Sequence, residues 1–168
     1  MSYMKLIKLL YFADRKALLQ LGRPITYDQW VSMPHGPVLS RTYDLVAAEP
    51  DPSDPTYWHR YISRYDRYEV QLIEEAPNGE LAPAEEAILK EVFEEWGNKT
   101  RWDVRDASHN FPEYRRTSSS VRISYREVLL LEGHTEAEAD EIEGDLEAEE
   151  FLTSVAGNTA ENQSVAAA

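Results

Sequence analysis

The residues of this chain best suited to acid–base or metal chemistry are its four histidines, because the sequence contains no cysteine. They are His35, His59, His109 and His134, and no two of them have the i, i+4 spacing with which one helix face binds zinc. The lack of cysteine also excludes disulfides and thiolate metal sites. The sequence therefore predicts neither a bound metal nor another cofactor.

Ser108-His109 could supply a nucleophile and a base, with Asp106 or Glu113 to orient the imidazole. The residues around Ser108 do not form the G-x-S-x-G turn that exposes a hydrolase nucleophile, and the serines at 118–120 have no nucleophile context either. A histidine in such a loop more often forms a structural hydrogen bond. We therefore expect no enzymatic activity.

The stretch PHGP at 34–37 contains one glycine and no Lys-Ser or Lys-Thr pair, so it cannot be a nucleotide-phosphate loop. Pro34 ends an extended run, and Pro37 suits the first residue of a helix, where no amide donor is needed. We expect His35 to brace this strand-to-helix joint, with a recognition role as the alternative. Free amides in the first turn of that helix, with Arg41 beside them, could accept a partner's carboxylate.

The net charge of −14 is distributed very unevenly along the 168 residues. Residues 1–126 contain 17 basic and 19 acidic side chains, whereas the chain after Arg126 contains 12 acidic ones and no Lys or Arg. Such a distribution argues against binding nucleic acid by broad phosphate neutralisation and favours a basic protein partner. A homodimer is a further arrangement that the sequence allows.

The N-terminal sequence MSYMKLIKLLYFADRKALL interrupts its apolar residues with charged ones at positions 5, 8, 14, 15 and 16. It therefore has neither the apolar core of a signal peptide nor the length of a membrane span. We expect a soluble, cytoplasmic protein without membrane contact.

The elements that must position these residues are mostly helical. Apolar periodicity and capping residues predict helices over 4–21, 38–46, 83–97, 101–107, 124–133 and 135–152, the last with Thr135 and Glu138 as a capping box. Proline and glycine mark loops at 49–55 and at Asn78-Gly79, and ITYDQWVSM at 25–33 is a short extended segment. The predicted fold class is mostly α with a small β-hairpin (α+β), a compact single domain of about six helices over 1–152. Residues 153–168 are predicted to be a disordered tail.

The β-hairpin is predicted at 57–74, where aromatic and β-branched residues alternate approximately around Asp66-Arg67. Its aromatic and basic side chains could form a nucleic-acid stacking surface. A DNA-binding regulator, acting on its own operon, is therefore the alternative from another functional class.

Five segments carry a family resemblance: KLLYFADRKALLQLGRPIT at 8–26, MPHGPVLSRTYDLV at 33–46, YEVQLI at 68–73, ELAPAEEAILKEVFEEWG at 80–97 and SHNFPEYRR at 108–116. Together they resemble the Panacea, or SocA-like, antitoxin domain over about residues 5–150, and the first, second and fifth are the specific ones. Tyr114 stands where that family usually has tryptophan, and Ala82 where serine is common.

The resemblance implies a mostly α domain with a small β element, encoded next to a toxin that it neutralises by direct binding. Some members of the family are adaptors that deliver the toxin to a protease, and no enzymatic activity is implied. The residues we select as toxin-binding candidates are Tyr11, Asp14, Arg15, His35, Arg41, Tyr43, His109, Glu113, Tyr114, Glu141, Asp145 and Glu149.

Overall fold

The computed structural model describes residues 1–48, 57–63, 66–77 and 79–165. The helices in these residues are α1 (Tyr3–Leu21), α2 (Ser40–Ala47), α3 (Tyr57–Tyr61), α4 (Pro83–Trp96), α5 (Arg101–Ser108), α6 (Tyr125–Leu131) and α7 (Glu136–Val165). Strands β1 (Trp30–Met33), β2 (Gly36–Leu39) and β3 (Val121–Arg122) form an antiparallel sheet in the order β2-β1-β3. The predicted fold class is confirmed, with α3 as one helix more than expected.

The chain forms two compact units, of which one is Met1–Ser124 and the other begins at Tyr125. The single domain predicted over 1–152 stays a prediction. The loop predicted at 49–55 and the Asn78 half of the predicted turn lie outside the described residues.

Helix α1 is the element around which the first unit packs, and it contacts α4, α5, β2 and α2. Its predicted end is confirmed, because Gly22 takes the left-handed conformation with φ 73° and its amide donates to the Leu18 carbonyl at 3.0 Å. Lys5 of α1 donates to the carbonyl oxygens of Gly97 and Lys99 at 2.5 and 2.7 Å, and so caps the end of α4.

The prediction that PHGP joins a strand to a helix is wrong. Met33 pairs with Gly36 and Trp30 with Leu39, so Pro34 and His35 are the loop of a β-hairpin and Pro37 lies in β2. Proline is tolerated there because β2 is an edge strand of the sheet. Helix α2 begins only at Ser40, and Gly36 supplies the positive φ of 95° that the tight loop requires.

The hairpin predicted at 57–74 is present only in its inner part, as antiparallel bridges between Ile62 and Leu72 and between Asp66 and Glu69. Residues 57–61 form α3 instead. Tyr61 and Ile62 follow Trp58 by three and four residues, so the same apolar residues also fit one face of a helix. The bridged segment pairs further with the N-terminus, where the Met1 carbonyl accepts from Val70 and the Tyr3 amide donates to Tyr68.

The core on this side of the first unit is a cluster of aliphatic residues from five segments of the chain. Its buried members are Ile7, Val31, Val38, Val46 and Val70, and the partly buried residues packed against it include Tyr43, Trp58 and Ile62. The cluster joins α1, the β1–β2 hairpin and α2, and so fixes where the hairpin loop lies.

The second unit consists of α6 and α7, and the predicted capping box at its second helix is confirmed. Glu138 accepts from the Thr135 amide at 2.7 Å, and the Glu138 amide donates to the Thr135 hydroxyl at 3.2 Å. Arg126 of α6 forms ion pairs with Glu136 and Asp140 of α7. Helix α7 is assigned through Val165, and the disorder predicted for 153–168 stays a prediction.

Every helix in the described part of the chain is too short or too polar to serve as a transmembrane span.

Candidate functional site

One face of α1 is polar although it is buried. Lys8, Tyr11 and Arg15 are three and four residues apart, so they lie on the same face, and all three side chains are buried. This face contacts two segments that are distant in sequence, the β1–β2 hairpin and the loop that follows α5. The three segments with the most specific family resemblance therefore meet at one place in the structure.

Glu113 is the partner of two residues of this face. Its Oε1 accepts from the Tyr11 hydroxyl at 2.6 Å and from Arg15 Nε at 2.8 Å, and its Oε2 accepts from Arg15 Nη2 at 3.2 Å. The Glu113 side chain is fully buried, and the guanidinium also lies 4.4 Å from the centre of the Phe111 ring. A buried charge pair with this many hydrogen bonds holds the 109–114 loop against α1 in one position.

Lys8 connects the same face to the hairpin and to α5. Its ammonium donates to the Pro37 carbonyl at 3.2 Å and to the Ser108 hydroxyl at 3.1 Å. Burial, and secondarily the nearby charge of Arg105, lowers the pKa of Lys8 to about 7. Gly36 leaves the space for this arrangement, because a Cβ atom there would lie 2.3 Å from Ser108 Oγ and 2.7 Å from Lys8 Nζ.

A serine hydroxyl beside a lysine of lowered pKa is also the arrangement of a Ser–Lys catalytic pair. Ser108 is fully buried, however, and its hydroxyl donates to the Arg105 carbonyl at 2.7 Å. A substrate could not reach this oxygen without opening the packing of α5 against α1. The geometry therefore favours a structural role for the pair.

Asp14, in the C-terminal half of α1, binds the segment that leads into β1. Its carboxylate accepts from the Ile25 and Thr26 amides at 3.1 and 3.0 Å, from the Thr26 hydroxyl at 2.5 Å and from Trp30 Nε1 at 3.3 Å. Burial raises the pKa of Asp14 to about 6, although these hydrogen bonds act in the opposite direction.

The amides at the start of α2 are not free, contrary to the expectation that they could bind a partner's carboxylate. Asp28 Oδ1 accepts from the Arg41 amide, and Asp28 Oδ2 accepts from the Thr42 amide and hydroxyl, each at 2.8 Å. A carboxylate of the chain itself thus occupies the anion site of this helix.

We call the place where α1, the β1–β2 hairpin and the loop after α5 meet the junction. Its outer edge, which we call the rim, is formed by Pro34 and His35 together with the half-buried His109 and Tyr114. The rings of His109 and Tyr114 stack with centroids 4.5 Å apart and an interplanar angle of 7°, and the Tyr114 hydroxyl lies 3.4 Å from the Pro34 carbonyl. Pro34 and His35 are exposed, so the His35 side chain does not brace a joint as expected. Burial, and to a smaller extent the charge of Lys8, lowers the pKa of His109, which favours a neutral ring.

The structure thus separates the predicted candidates into three groups. Tyr11, Asp14, Arg15 and Glu113 are buried supports of the junction, while His35, His109 and Tyr114 belong to the rim. The remaining candidates lie elsewhere: Arg41 is exposed on α2, Tyr43 packs against the aliphatic cluster, and Glu141, Asp145 and Glu149 are exposed on α7 in the second unit. Among the described residues, no group of three His, Asp or Glu side chains is arranged to hold a metal ion.

Lys8 and Asp28 are the functional-site residues that the sequence analysis missed. A signal for Lys8 is present, because it shares the spacing of Tyr11 and Arg15 on one face of a helix rich in apolar residues. Asp28 has no comparable signal, since its bonds to α2 depend on how the intervening hairpin folds.

Neither a curated protein nor a solved structure matches the chain. The model of the family described as Antitoxin SocA-like, Panacea domain, matches residues 6–114, which is well over half of the sequence and includes α1, the β1–β2 hairpin and the loop through Tyr114. The chain therefore belongs to the SocA-like, Panacea-domain antitoxin family.

Proposed function

We propose that this protein is a cytoplasmic antitoxin that neutralises a toxin encoded beside it by binding the toxin directly through the rim. The observation that carries the proposal is the convergence of three distant segments, fixed by Lys8 and by the Tyr11–Arg15–Glu113 network, beneath one exposed edge. Membership of the antitoxin family supports a toxin as the partner.

The buried network suits a binding role because it prepares the surface before the partner arrives. The loop of the hairpin and the loop after α5 are attached to the same helix, so the rim loses little conformational freedom on association. Charged groups buried in this way add little to stability on balance, but they specify a single arrangement of the loops.

The acidic second unit supports a basic toxin. Glu141, Asp145 and Glu149 are exposed on α7, within the segment after Arg126 that carries 12 acidic side chains and no basic residue. A concentrated negative field raises the rate at which a basic protein is captured.

Non-enzymatic action is part of the proposal. The Ser108 hydroxyl lies 3.1 Å from Lys8 Nζ, the nitrogen that could activate it as a nucleophile. It is buried among α1, β2 and α5, so a substrate could not reach it. Its hydrogen bonds serve the backbone of α5, which fits a protein that works by binding.

Co-expression with the product of the adjacent gene tests the proposal. Expression of that product alone should stop growth, and simultaneous expression of this chain should restore it. Repeating the rescue with purified proteins, in an assay of the toxin's own activity, separates neutralisation by binding from delivery to a protease.

A matched pair of variants sharpens the experiment. His35→Ala changes the rim, whereas Lys90→Ala changes an exposed α4 side chain that is 75% accessible. Rescue should fail or weaken with the first and persist with the second. An adjacent product that is harmless alone, or stays toxic beside this chain, would contradict the proposal.

A further inference from the structure

A strained turn lies at residues 66–69, on a part of the first unit that the rim does not include. The Asp66 amide donates to the Glu69 carbonyl at 2.9 Å and the Glu69 amide to the Asp66 carbonyl at 2.8 Å, which makes Arg67 and Tyr68 a two-residue hairpin loop. Both have positive φ, 49° and 69°. Glycine and asparagine are usual at such positions, and other residues are held there only at an energetic cost.

The strained position carries a large ring that is mostly exposed. The Tyr68 residue is 60% exposed, so burial does not compensate the strain. Its ring stacks on Tyr3 with centroids 6.3 Å apart and an interplanar angle of 26°, and the Arg101 guanidinium lies 6.0 Å from its centre. Non-glycine residues kept in strained conformations are concentrated at functional sites.

Tyr68 is one member of a row of alternating rings and guanidinium groups. The Arg101 guanidinium lies 4.7 Å from the Trp102 ring centre, and that of Arg105 lies 4.8 Å from the same ring. We call Tyr3, Tyr68, Arg101, Trp102 and Arg105 the ladder. Trp102 is 48% exposed, so the ladder presents two large aromatic surfaces to solvent.

The charges of the ladder are only partly neutralised. Arg105 pairs with Asp106 at 2.6 Å, and the neighbouring carboxylate of Asp103 accepts from the Thr100 amide and hydroxyl in the cap of α5. In the part of the chain that the structure describes, no carboxylate forms an ion pair with Arg101. A planar guanidinium held between two rings is therefore available for a bidentate bond to a carboxylate.

We propose that the ladder is a docking surface for an acidic, aromatic-containing peptide segment of a partner protein. A carboxylate of the segment pairs with Arg101, and an aromatic side chain covers the exposed ring of Tyr68. Nucleic acid offers rings and anions too, but binding it needs many cationic side chains along the phosphate backbone, and the ladder has only two, of which Arg105 is already paired with Asp106. This surface is separate from the rim, and the inference does not rest on the antitoxin role.

The first arm of the test asks what holds Tyr68 in its strained conformation. Tyr68→Gly and Arg67→Gly relieve strain at adjacent positions of the same turn, so both should raise the urea midpoint of unfolding. A lower midpoint for Tyr68→Gly beside a higher one for Arg67→Gly would show that the ring serves the fold, and would overturn the proposal.

The second arm measures binding of a glutamate–tyrosine random copolymer to the full chain, with polyglutamate, a lysine–tyrosine copolymer and oligo(dT) as comparison probes. The glutamate–tyrosine copolymer should bind at least tenfold more tightly than the other three. Tyr68→Gly and Arg101→Gln should each weaken it at least fivefold. Arg67→Gly also removes a positive charge from the turn, yet it should stay within twofold of the parent.

Several outcomes of the second arm would overturn the proposal. Absence of copolymer binding, or equal binding by the parent and Arg101→Gln, would show that the ladder is not a docking surface. Equal weakening by Arg67→Gly would reduce it to unspecific charge attraction. If oligo(dT) bound more tightly than the glutamate–tyrosine copolymer, the ligand of the ladder would be a nucleic acid and not a peptide. If the lysine–tyrosine copolymer bound more tightly, the partner segment would be basic and not acidic.

Discussion

Gly36 is the residue on which the junction beneath the rim most directly depends. Its φ of 95° disfavours any side chain, and a Cβ atom would overlap Ser108 Oγ and Lys8 Nζ. Gly36→Ala should therefore lower the free energy of unfolding by about 2–4 kcal/mol, from backbone strain and overpacking together. Urea denaturation measures this. Gly79→Ala is the matched control, because a Cβ atom at Gly79 meets nothing within 4 Å. An equally small effect at both positions would show that the junction is loosely packed.

Lys8 should make the stability of the protein depend on pH. Its pKa is about 7 in the folded chain against 10.5 for an ordinary lysine, so between these values the unfolded chain binds the proton and the folded chain does not. Stability should therefore rise with pH across this window, by at most roughly 1.4 kcal/mol per pH unit from this group.

Lys8→Met removes the titrating group from the same space, and should flatten the rise that urea titrations record between pH 7 and 10. Lys90→Met, at an exposed site of α4, should leave the rise as in the parent. A parent whose stability falls over this range, with Lys8→Met showing the same fall, would mean that Lys8 stays charged in the folded chain.

At the scale of elements, α2 is held by a carboxylate that lies outside the helix. Asp28 accepts from the Arg41 and Thr42 amides and from the Thr42 hydroxyl, and its side chain is buried. Asp28→Ala leaves two helix amides without their acceptor and should cost about 2–4 kcal/mol, while Asp28→Asn keeps one oxygen acceptor and should cost less.

Urea denaturation ranks the two Asp28 variants, and hydrogen exchange at the Thr42 amide locates the effect. Faster exchange in Asp28→Ala than in Asp28→Asn is expected. Unchanged exchange at Thr42 in both variants would mean that the start of α2 is held by other contacts.

The helices were predictable because their signals are local. The predicted Thr135–Glu138 cap depends on a few neighbouring residues and is confirmed. The Thr100–Asp103 cap and the left-handed Gly22 at the end of α1 are equally local features. PHGP was misread because Pro37 is equally compatible with a helix start and with an edge strand. Strand β3 pairs with β1 from about 90 residues away, and nothing near Val121 indicates that pairing.

At the scale of the whole molecule, the sequence identified most residues of the candidate site but not their burial. Asp14 and Glu113 are acidic residues of a kind that is mostly exposed, and only their contacts across about 10 to 100 positions enclose them. Conversely, His35 was expected to brace a joint and is exposed, because the hairpin loop places its side chain outward. Burial is a property of tertiary packing, so local patterns cannot separate supports from contact residues.

The acidic charge of α7 should act on the rate of association. Replacing Glu141, Asp145 and Glu149 with glutamine should leave the unfolding midpoint unchanged and slow capture of a basic toxin at low salt. The difference should shrink as salt shortens the screening length toward about 3 Å at 1 M. Stopped-flow mixing measures these rates.

The matched control replaces Glu75, Glu94 and Glu95 with glutamine. These residues are exposed in the first unit, and their replacement changes the net charge by the same amount. Equal slowing by both triple variants would assign the effect to net charge and not to α7.

The affinity of the purified chain for the product of the adjacent gene, measured for the parent and for His35→Ala by titration calorimetry, tests the central claim most directly. His35 is exposed at the hairpin loop, so its replacement should leave the unfolding midpoint unchanged. We expect the parent to bind and His35→Ala to bind at least tenfold more weakly, as for a contact residue worth about 1.4 kcal/mol or more. Equal affinities of the parent and His35→Ala would contradict the assignment of the rim as the toxin-binding surface, and absence of any binding by the parent would contradict the antitoxin proposal itself.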